Sequence, residues 1–378
     1  MDFNLLKILF AILAFQFLFV SFFLFQSKKG NALSNKTLGL VFFMLSIAII
    51  NFYWIVFGIT TNIPQLLFID DTFMLAYGPL LYIFTESILF KKYRLKKKSI
   101  IHFIPFMISV CYVIGLVFFV DASSILEWTD QIRIHQLPIY LRIGETLILL
   151  HILIYLFKSK KEIRGVFKRA SELYSNFDQD DFELLRFIIN CFIILFLLAL
   201  IHSFLPFIGF SGSLLITLLS IVLFMFYFIN SVLLKMLKRS TNDSGVMSQV
   251  NFENKEKYAG SKITQAQLKG SKSKLYDHMK STKRYLNADL NIDDLSKEMG
   301  LSSKDLSQII NQGFSCNFFD FVNKFRVEEA KSIFSKQTED KMTIQEVMYD
   351  SGFSSKSSFN TAFKKFTNLT PTQFKNTL

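Results

Sequence analysis

Long apolar runs constrain this chain more than any other feature of its sequence. A helix needs roughly 20 apolar residues to cross about 30 Å of hydrocarbon. The chain of 378 residues is 51% hydrophobic and holds 45 phenylalanines, and its apolar residues are concentrated before residue 240. The sequence predicts seven transmembrane helices, at about residues 5–26, 37–59, 66–90, 99–120, 139–157, 184–206 and 213–234.

Basic residues are confined almost entirely to alternate connections between these runs. Eighteen Lys and Arg fall in four segments, 27–36, 91–98, 158–169 and 235–239. The first four residues and the loops near 60–65, 121–138 and 207–212 hold one basic residue, Arg133. Because short basic loops stay in the cytoplasm, we expect a multi-pass protein of the inner (cytoplasmic) membrane. Its N-terminus would lie outside and the residues after the last span inside.

The first run could instead be a secretion signal. Its basic residues, Lys28 and Lys29, follow the apolar stretch, whereas a signal peptide carries them in front. The run is also longer than a signal core, and no small-residue cleavage site is evident. We therefore interpret it as a retained span.

Ionisable residues at the outer ends of the third, fifth and sixth spans are candidates for sensing. Such groups are costly in lipid, so they usually face the bundle interior and often mark function. A ligand pocket that opens outward is one interpretation, and pairing between helices or a position at headgroup depth is the other. The candidates are Asp70, Asp71, Arg142, Glu145 and His202.

The composition changes sharply after the last span. Residues 240–271 are polar and rich in Ser, Asn, Lys and Gly, which is typical of a tether. We expect three parts: a transmembrane sensor domain at 1–239, a polar linker at 240–271 and a soluble domain at 272–378. In the soluble domain, Leu275, Met279 and Leu286 should share one helix face, with Tyr285 beside them.

Two stretches of the soluble domain read as helix, tight turn, helix. In the first, Asn291 caps a short helix, Gly300 makes the turn, and Ser302 with Asp305 opens the next helix. This second helix buries Leu306, Ile309 and Ile310. Such an arrangement predicts a helix-turn-helix motif.

The pattern recurs about 52 residues later. Thr343 and Glu346 form a capping box, Gly352 makes the turn, and Ser354 opens the last long helix. This helix buries the aromatic residues Phe359, Phe363 and Phe366. A continuous helix at 317–337 joins the two motifs and would be roughly 30 Å long, close to one turn of B-DNA.

These residues resemble the AraC/XylS-type transcriptional regulators over about residues 275–378. The resemblance rests on "DLSKEMGLSSKDLSQII", "FFDFVNKFRVEEAKSI" and "IQEVMYDSGFSSKSSFNTAFKKFTNLTPTQFK". The signature residues in the last stretch are Gly352, Phe353, Phe359, Phe363, Lys364, Thr370, Pro371, Phe374 and Lys375. Two departures are Ser358, where the family often has Tyr, and "TNL" in place of a basic-Gly step before Thr370.

The resemblance implies an all-α fold in which the outward face of each recognition helix reads bases. The whole chain would then be a seven-helix transmembrane bundle followed by a cytoplasmic domain with two helix-turn-helix motifs and a linking helix. Lys, Gln, Asn, Ser and Thr suit base edges, and lysines suit phosphates. The implied DNA-binding residues are Lys304, Ser307, Gln308, Lys356, Ser357, Asn360, Thr361 and Lys364, with Lys365 and Lys324 as further phosphate candidates.

Other functions stay open on the sequence alone. Residues 272–378 hold 16 basic and 13 acidic residues, a balance that also allows a sensor whose helical domain binds a protein partner. A transporter or membrane enzyme with a regulatory tail is a third hypothesis. Against it, we find no phosphate-binding loop, no Ser/His/Asp set and no metal-ligand cluster, and Cys111, Cys191 and Cys316 lie far apart.

The favoured hypothesis is a regulator that is not an enzyme and needs no cofactor. It would detect an unknown signal through the spans and act on promoter DNA in the cytoplasm. The expected partners are double-stranded DNA and the lipid bilayer. Further candidates are RNA polymerase, a second copy of the chain and an unidentified signal ligand.

Overall fold

The computed structural model describes the chain in separate stretches of helix and short connections. The described residues are 3–28, 30–57, 69–90, 93–95, 97–121, 123–127, 139–177, 179–205, 210, 214–238, 265–336 and 342–378. Among them there is no strand, and one isolated antiparallel bridge joins Tyr174 to Asn291. The all-α fold class is confirmed. The chain divides into two compact units, 1–163 with 184–243, and 164–183 with 244–378.

Each apolar run lies in or overlaps a helix. The helices are α1 (Phe3–Gln26), α2 (Ala32–Phe57), α3 (Ile69–Leu89), α4 (Ile104–Phe119), α5 (Ile139–Leu173), α6 (Gln179–Phe204) and α7 (Leu214–Lys238). A 3-10 turn at Lys97–Phe103 precedes α4. By length and composition, six stretches of the described residues could cross a membrane, one each in α1, α2, α3, α6 and α7 and one formed by α4 with its preceding turn.

The fifth run is not among those six stretches. Its helix, α5, carries Arg142 and Glu145 near one end and continues into basic sequence at the other. At 35 residues it extends well beyond a membrane span, and its last part belongs to the second unit. The count of seven spans therefore stays a prediction.

Phenylalanine rings hold the first unit together. Phe17, Phe42, Phe192 and Phe228 are fully buried and come from four different helices. Their ring centroids lie 5.2 to 5.9 Å apart in the pairs Phe17–Phe42, Phe42–Phe228 and Phe192–Phe228, all at steep angles. Edge-to-face pairs of this kind add to the area that the rings bury. Other large apolar side chains point outward, among them Phe119 at 89% exposure, which is compatible with a membrane domain.

The described residues of the second unit after residue 244 form seven more helices. These are α8 (Gln265–Thr282), α9 (Ile292–Glu298), α10 (Ser303–Phe314), α11 (Phe318–Lys336), α12 (Ile344–Asp350), α13 (Lys356–Thr367) and α14 (Pro371–Lys375). The start of α8 falls inside the predicted linker, so part of that stretch is a lead-in helix. The rest of the predicted linker, up to residue 264, lies outside the described residues.

One helix, α11, contributes to two separate hydrophobic cores. Its first half places Phe318 and Val322 in a core with α8, α9 and α10. Its second half places Val327, Ala330 and Phe334 in a core with α12 and α13. The two helix-turn-helix motifs therefore share a single rod, as the sequence predicted.

The end of α8 differs from the expectation. Leu275 and Met279 are buried as predicted, but Leu286 is 36% exposed. Lys283 takes a left-handed conformation with φ of 50°, which ends the helix and turns the chain into a short 3-10 segment. Because the helical period is lost there, Tyr285 takes the buried position, at 5% exposure.

The last long helix also begins one residue later than expected. Ser355, not Ser354, is its N-cap, because the Ser355 hydroxyl accepts a hydrogen bond from the Ser358 amide at 3.2 Å. Its core residues agree with the prediction: Phe359 and Phe363 are fully buried, and Phe366 packs against them while partly exposed.

The turn glycines Gly352 and Gly300 differ in how closely other backbone atoms approach them. Both residues make the turn of their motif with a positive φ, 88° at Gly352 and 66° at Gly300. A Cβ atom on Gly352 would lie 2.6 Å from the carbonyl oxygen of Tyr285 and 2.8 Å from the Cα atom of Leu286. Among the described residues, a Cβ atom on Gly300 would meet nothing within 4 Å.

We therefore predict unequal losses of stability for the two glycine-to-alanine variants. Left-handed strain of about 1–2 kcal/mol applies to both, so Gly300→Ala should lose about that much. Gly352→Ala must also displace backbone, and it should lose clearly more or fail to fold. Thermal unfolding of the full-length protein in detergent measures both changes. Equal losses would contradict the close approach at Gly352.

Candidate nucleic-acid interface

The first motif presents a polar face on α10. Asn291 caps α9 by accepting from the Asp294 amide at 2.9 Å, and Ser302 caps α10 by accepting from the Asp305 amide at 3.1 Å. These caps set where each helix starts. Since Leu306, Ile309 and Ile310 fill the core, the opposite face carries the three predicted base-reading residues of this helix, Lys304, Ser307 and Gln308.

These polar side chains currently hydrogen-bond within their own helix or make no such bond. The Gln308 amide donates to Gln312 Oε1 at 3.3 Å, and Asn311 donates to the Ser307 hydroxyl at 3.3 Å. The Lys304 Nζ is shielded from solvent and has no hydrogen-bond partner among the described residues. Bonds at 3.3 Å are long for this type, so base edges can replace them at little cost.

The second motif repeats the arrangement on α13. Thr343 and Glu346 form a reciprocal capping box at the start of α12, as predicted. On α13, Lys356, Thr361 and Lys364 are exposed, and Ser357 and Asn360 are partly exposed. The helix therefore buries one aromatic face and presents all five predicted residues on the other sides.

The three lysines proposed for phosphate contacts have different surroundings. Lys364 and Lys324 are exposed. Lys365 donates to both carboxylate oxygens of Asp320 at 2.7 Å, which ties α13 to α11. The Asp320 side chain is only 19% exposed, so this ion pair is partly buried and Lys365 would have to give it up to reach a phosphate. Among the described residues, Lys364 has no ion pair to exchange.

The last signature residues support the second core from outside. Thr370 forms a capping box with Gln373 around Pro371 at the start of α14. The Phe374 ring lies 5.4 Å from that of Phe363, and Lys375 Nζ donates to the Met342 carbonyl at 3.0 Å. These signature residues therefore stabilise the motif, and none of those four side-chain roles requires DNA.

The candidate sensing residues lie in the first unit, and several make contacts between helices. Asp70 Oδ1 accepts from Asn51 at 2.5 Å, and Glu145 Oε2 accepts from Ser203 at 2.9 Å. His202 Nδ1 and the hydroxyl of the α7 residue Thr217 are 2.6 Å apart. Arg142 lies near the start of α5, as Glu145 does. The side chain of Asp71 lies outside the described residues. Whether these groups sense a ligand stays a prediction.

Sequence reasoning missed Arg326, which is fully buried between the two cores. Its guanidinium donates to the carbonyl oxygens of Tyr285 at 2.7 Å and Asn287 at 2.8 Å, and lies 5.6 Å from the Phe353 ring centroid. Burial lowers the pKa of Arg326, and the Asp289 carboxylate opposes that shift. The available signal was a charged residue on the face of α11 that also carries Val322 and Ala330.

Comparison with known families agrees with this geometry. Residues 295–377 match the family profile described as "Helix-turn-helix domain". This range runs from α9 to the end of α14 and includes both recognition helices. No solved structure matches the chain.

The relatives match about a quarter of the chain. An uncharacterized HTH-type transcriptional regulator of Staphylococcus aureus strain COL is 34% identical over 91 residues, which cover 24% of this chain and 12% of the relative. An uncharacterized HTH-type transcriptional regulator of Pseudoalteromonas carrageenovora is 33% identical over 89 residues, 24% of this chain and 51% of the relative. The match thus spans about an eighth of the S. aureus protein and half of the other.

Lys364→Ala should weaken binding to duplex DNA of any sequence. Loss of one phosphate contact should make the slope of log K against log salt concentration shallower by about 0.9. Fluorescence anisotropy of the full-length protein in lipid nanodiscs, across a salt series with a mixed-sequence duplex, measures that slope. Lys280→Ala, an exposed lysine on α8, is the matched control. Equal slopes for both variants would contradict a phosphate contact at Lys364.

Proposed function

Because the chain carries an AraC-type helix-turn-helix domain at its C-terminal end, we propose that it is a membrane-tethered transcriptional regulator. It binds promoter DNA sequence-specifically through its two motifs and responds to a signal that reaches the apolar unit. The observation that carries the proposal is the pair of recognition helices, α10 and α13, packed on one linking helix in the same chain as the apolar helices.

The size of the second unit supports binding by both motifs at once. Helix α11 has 19 residues and is therefore about 28 Å long. Successive major grooves on one side of B-DNA repeat every 34–36 Å, approximately. Since the two motifs pack on opposite halves of α11, each recognition helix can enter its own groove. One chain then reads an asymmetric site without a second copy.

The chain path supports a cytoplasmic location for the second unit. Residues 164–183 belong to the same compact unit as residues 244–378. Two apolar helices, α6 and α7, separate these segments, and an even number of crossings returns the chain to the same side. The basic residues at 158–169 identify that side as the cytoplasm.

Helix α5 must cross the membrane if the charge pattern is to hold. The basic segments 91–98 and 158–169 should both be cytoplasmic. Helices α4 and α5 lie between these two basic segments, and the stretch that contains α4 is apolar enough to span a membrane. A crossing by α4 therefore requires a return through α5, in spite of its charged residues, and gives seven crossings in total.

An N-terminal tag distinguishes seven crossings from six. Seven crossings place the N-terminus outside the cytoplasmic membrane, whereas six place it inside with the C-terminal domain. Protease added to intact spheroplasts should therefore remove an N-terminal tag and leave a C-terminal tag in place. Protection of both tags until the cells are lysed would contradict the crossing by α5.

Discrete genomic sites should be occupied by the full-length protein and lost when base reading is removed. We expect Gln308→Ala combined with Thr361→Ala to abolish that occupancy, because the two changes remove one base-reading group from each recognition helix. Immunoprecipitation of protein-bound DNA from intact cells measures it. A matched control is Gln345→Ala combined with Thr372→Ala, which changes the same residue types at exposed positions outside the predicted base-reading set.

Three outcomes separate DNA binding from the protein-partner hypothesis. Sites that persist in the control and vanish in the base-reading variant support the regulator. Equal occupancy in both variants contradicts base reading by these side chains. Absence of sites for the unmodified protein, across several growth conditions, favours a helical domain that binds a protein partner.

A further inference from the structure

The connection between α5 and α6 lies against the helix-turn-helix domain. We call residues 174–177 the docked segment, and they belong to the second unit with both motifs. The Ser175 amide donates to the Leu290 carbonyl at 3.1 Å, and the Ser175 hydroxyl donates to the same oxygen at 2.6 Å. Tyr174 forms an antiparallel bridge with Asn291, the N-cap of α9. The segment thus pairs with the backbone that leads into the first motif.

The Arg326 side chain also hydrogen-bonds to the docked segment. Its guanidinium donates to the Ser175 carbonyl at 2.9 Å and to the Ser175 hydroxyl at 3.0 Å. Both residues are fully buried. Hydrogen bonds to an ionised donor are roughly twice as strong as neutral ones, and a buried charge that loses acceptors is costly. The docked segment therefore supplies part of the solvation that this buried cation requires.

The other end of the docked segment contacts the second motif. Phe177 is 4% exposed, and its ring centroid lies 4.9 Å from that of Phe319 on α11. The Phe177 carbonyl accepts from the Ser358 hydroxyl on α13 at 3.5 Å. Asn176 donates to Ser354, two residues after the turn glycine. Four consecutive residues thus contact both motifs and the linking helix.

We propose that the docked segment is an internal ligand of the helix-turn-helix domain that holds the two motifs in the orientation that binds DNA. This proposal rests on the proposed function and assigns its regulation to one contact. The segment is covalently continuous with α5 and α6, so a change in the membrane unit that pulls on either helix acts on residues 174–177. Undocking removes the Ser175 acceptors from Arg326 and the Phe177 contacts from α11 and α13.

Undocking should weaken DNA binding, because the two motifs bind one duplex together. Both recognition helices gain their contacts together only while their separation matches the groove repeat. A segment bonded to the first motif, the second motif and α11 restricts motion between the two halves. Release of the docked segment allows more relative arrangements of the two motifs and lowers the fraction of molecules whose motifs fit DNA. The apparent affinity for DNA falls in proportion to that fraction.

Disulfide trapping tests the docking without reference to DNA. Residues opposite each other in an antiparallel pair have Cα atoms about 4.5–5.5 Å apart, within the range of about 4.4–6.8 Å that disulfides need. Tyr174→Cys with Asn291→Cys, in a full-length protein whose three native cysteines are replaced by Ala, should therefore form an intramolecular disulfide in intact cells under mild oxidation. Each single-cysteine variant is the control.

Occupancy of the genomic sites tests the coupling. Phe177→Ala removes the buried ring, and Ser358→Tyr places a phenol where the Phe177 carbonyl lies. Both variants should lower occupancy about fivefold or more, at equal amounts of protein in the membrane fraction. Tyr349→Ala, which truncates an exposed aromatic residue of α12, should leave occupancy unchanged.

The two experiments fail in distinguishable ways. Absence of the disulfide overturns the proposal whatever the occupancy. Disulfide formation with unchanged or raised occupancy in both variants overturns the coupling, while base reading by Gln308 and Thr361 can still stand. Absence of sites for the unmodified protein overturns the proposed function and the coupling with it, and the disulfide then decides the docking alone.

Discussion

The buried guanidinium of Arg326 is the constraint on which the second unit depends. A cation out of contact with water must have its donors satisfied, and here the acceptors come from the turn after α8, from Asn323 on the same helix and from Ser175. Phe353 of the second motif packs over it. One side chain on the linking helix thereby fixes the chain that enters the first motif, the turn of the second motif and a distant segment. Few substitutions at this position could satisfy three such neighbours together.

The linking helix makes two small motifs into one body. Neither motif alone has many buried residues, but α11 gives apolar side chains to both cores and carries Arg326 between them. Among the residues that carry the family resemblance, Gly352 makes a turn, Phe363 fills the core and Phe374 packs against that core. The proposed base-reading residues on α10 and α13 lie outside the two apolar cores, so they could change without altering the packing of the scaffold.

The two units distribute their apolar side chains differently. In the first unit, phenylalanines both fill the interior, as Phe42 and Phe228 do, and cover the outside, as Phe119 does. Such an exterior is compatible with a membrane domain, as are the six stretches that are long and apolar enough to span. The second unit buries its apolar side chains and exposes polar ones, as water requires. The proposed regulator needs a physical link between the two parts, and residues 174–177 form hydrogen bonds and ring contacts that can provide it.

The sequence by itself determined the features that depend on near neighbours along the chain. Apolar runs, the caps at Asn291 and Thr343, and the glycine turns all follow from local sterics and periodicity, and the structure has them at the predicted residues. The tertiary structure decided where the helical period stops near Leu286 and which groups accept hydrogen bonds from the buried Arg326. Ser175 and Arg326 are 151 positions apart, and no local pattern indicates their contact. Only the folded chain brings the buried Arg326 donor and the distant Ser175 carbonyl together, because the hydrogen bond between them offsets the free-energy cost of burying both groups.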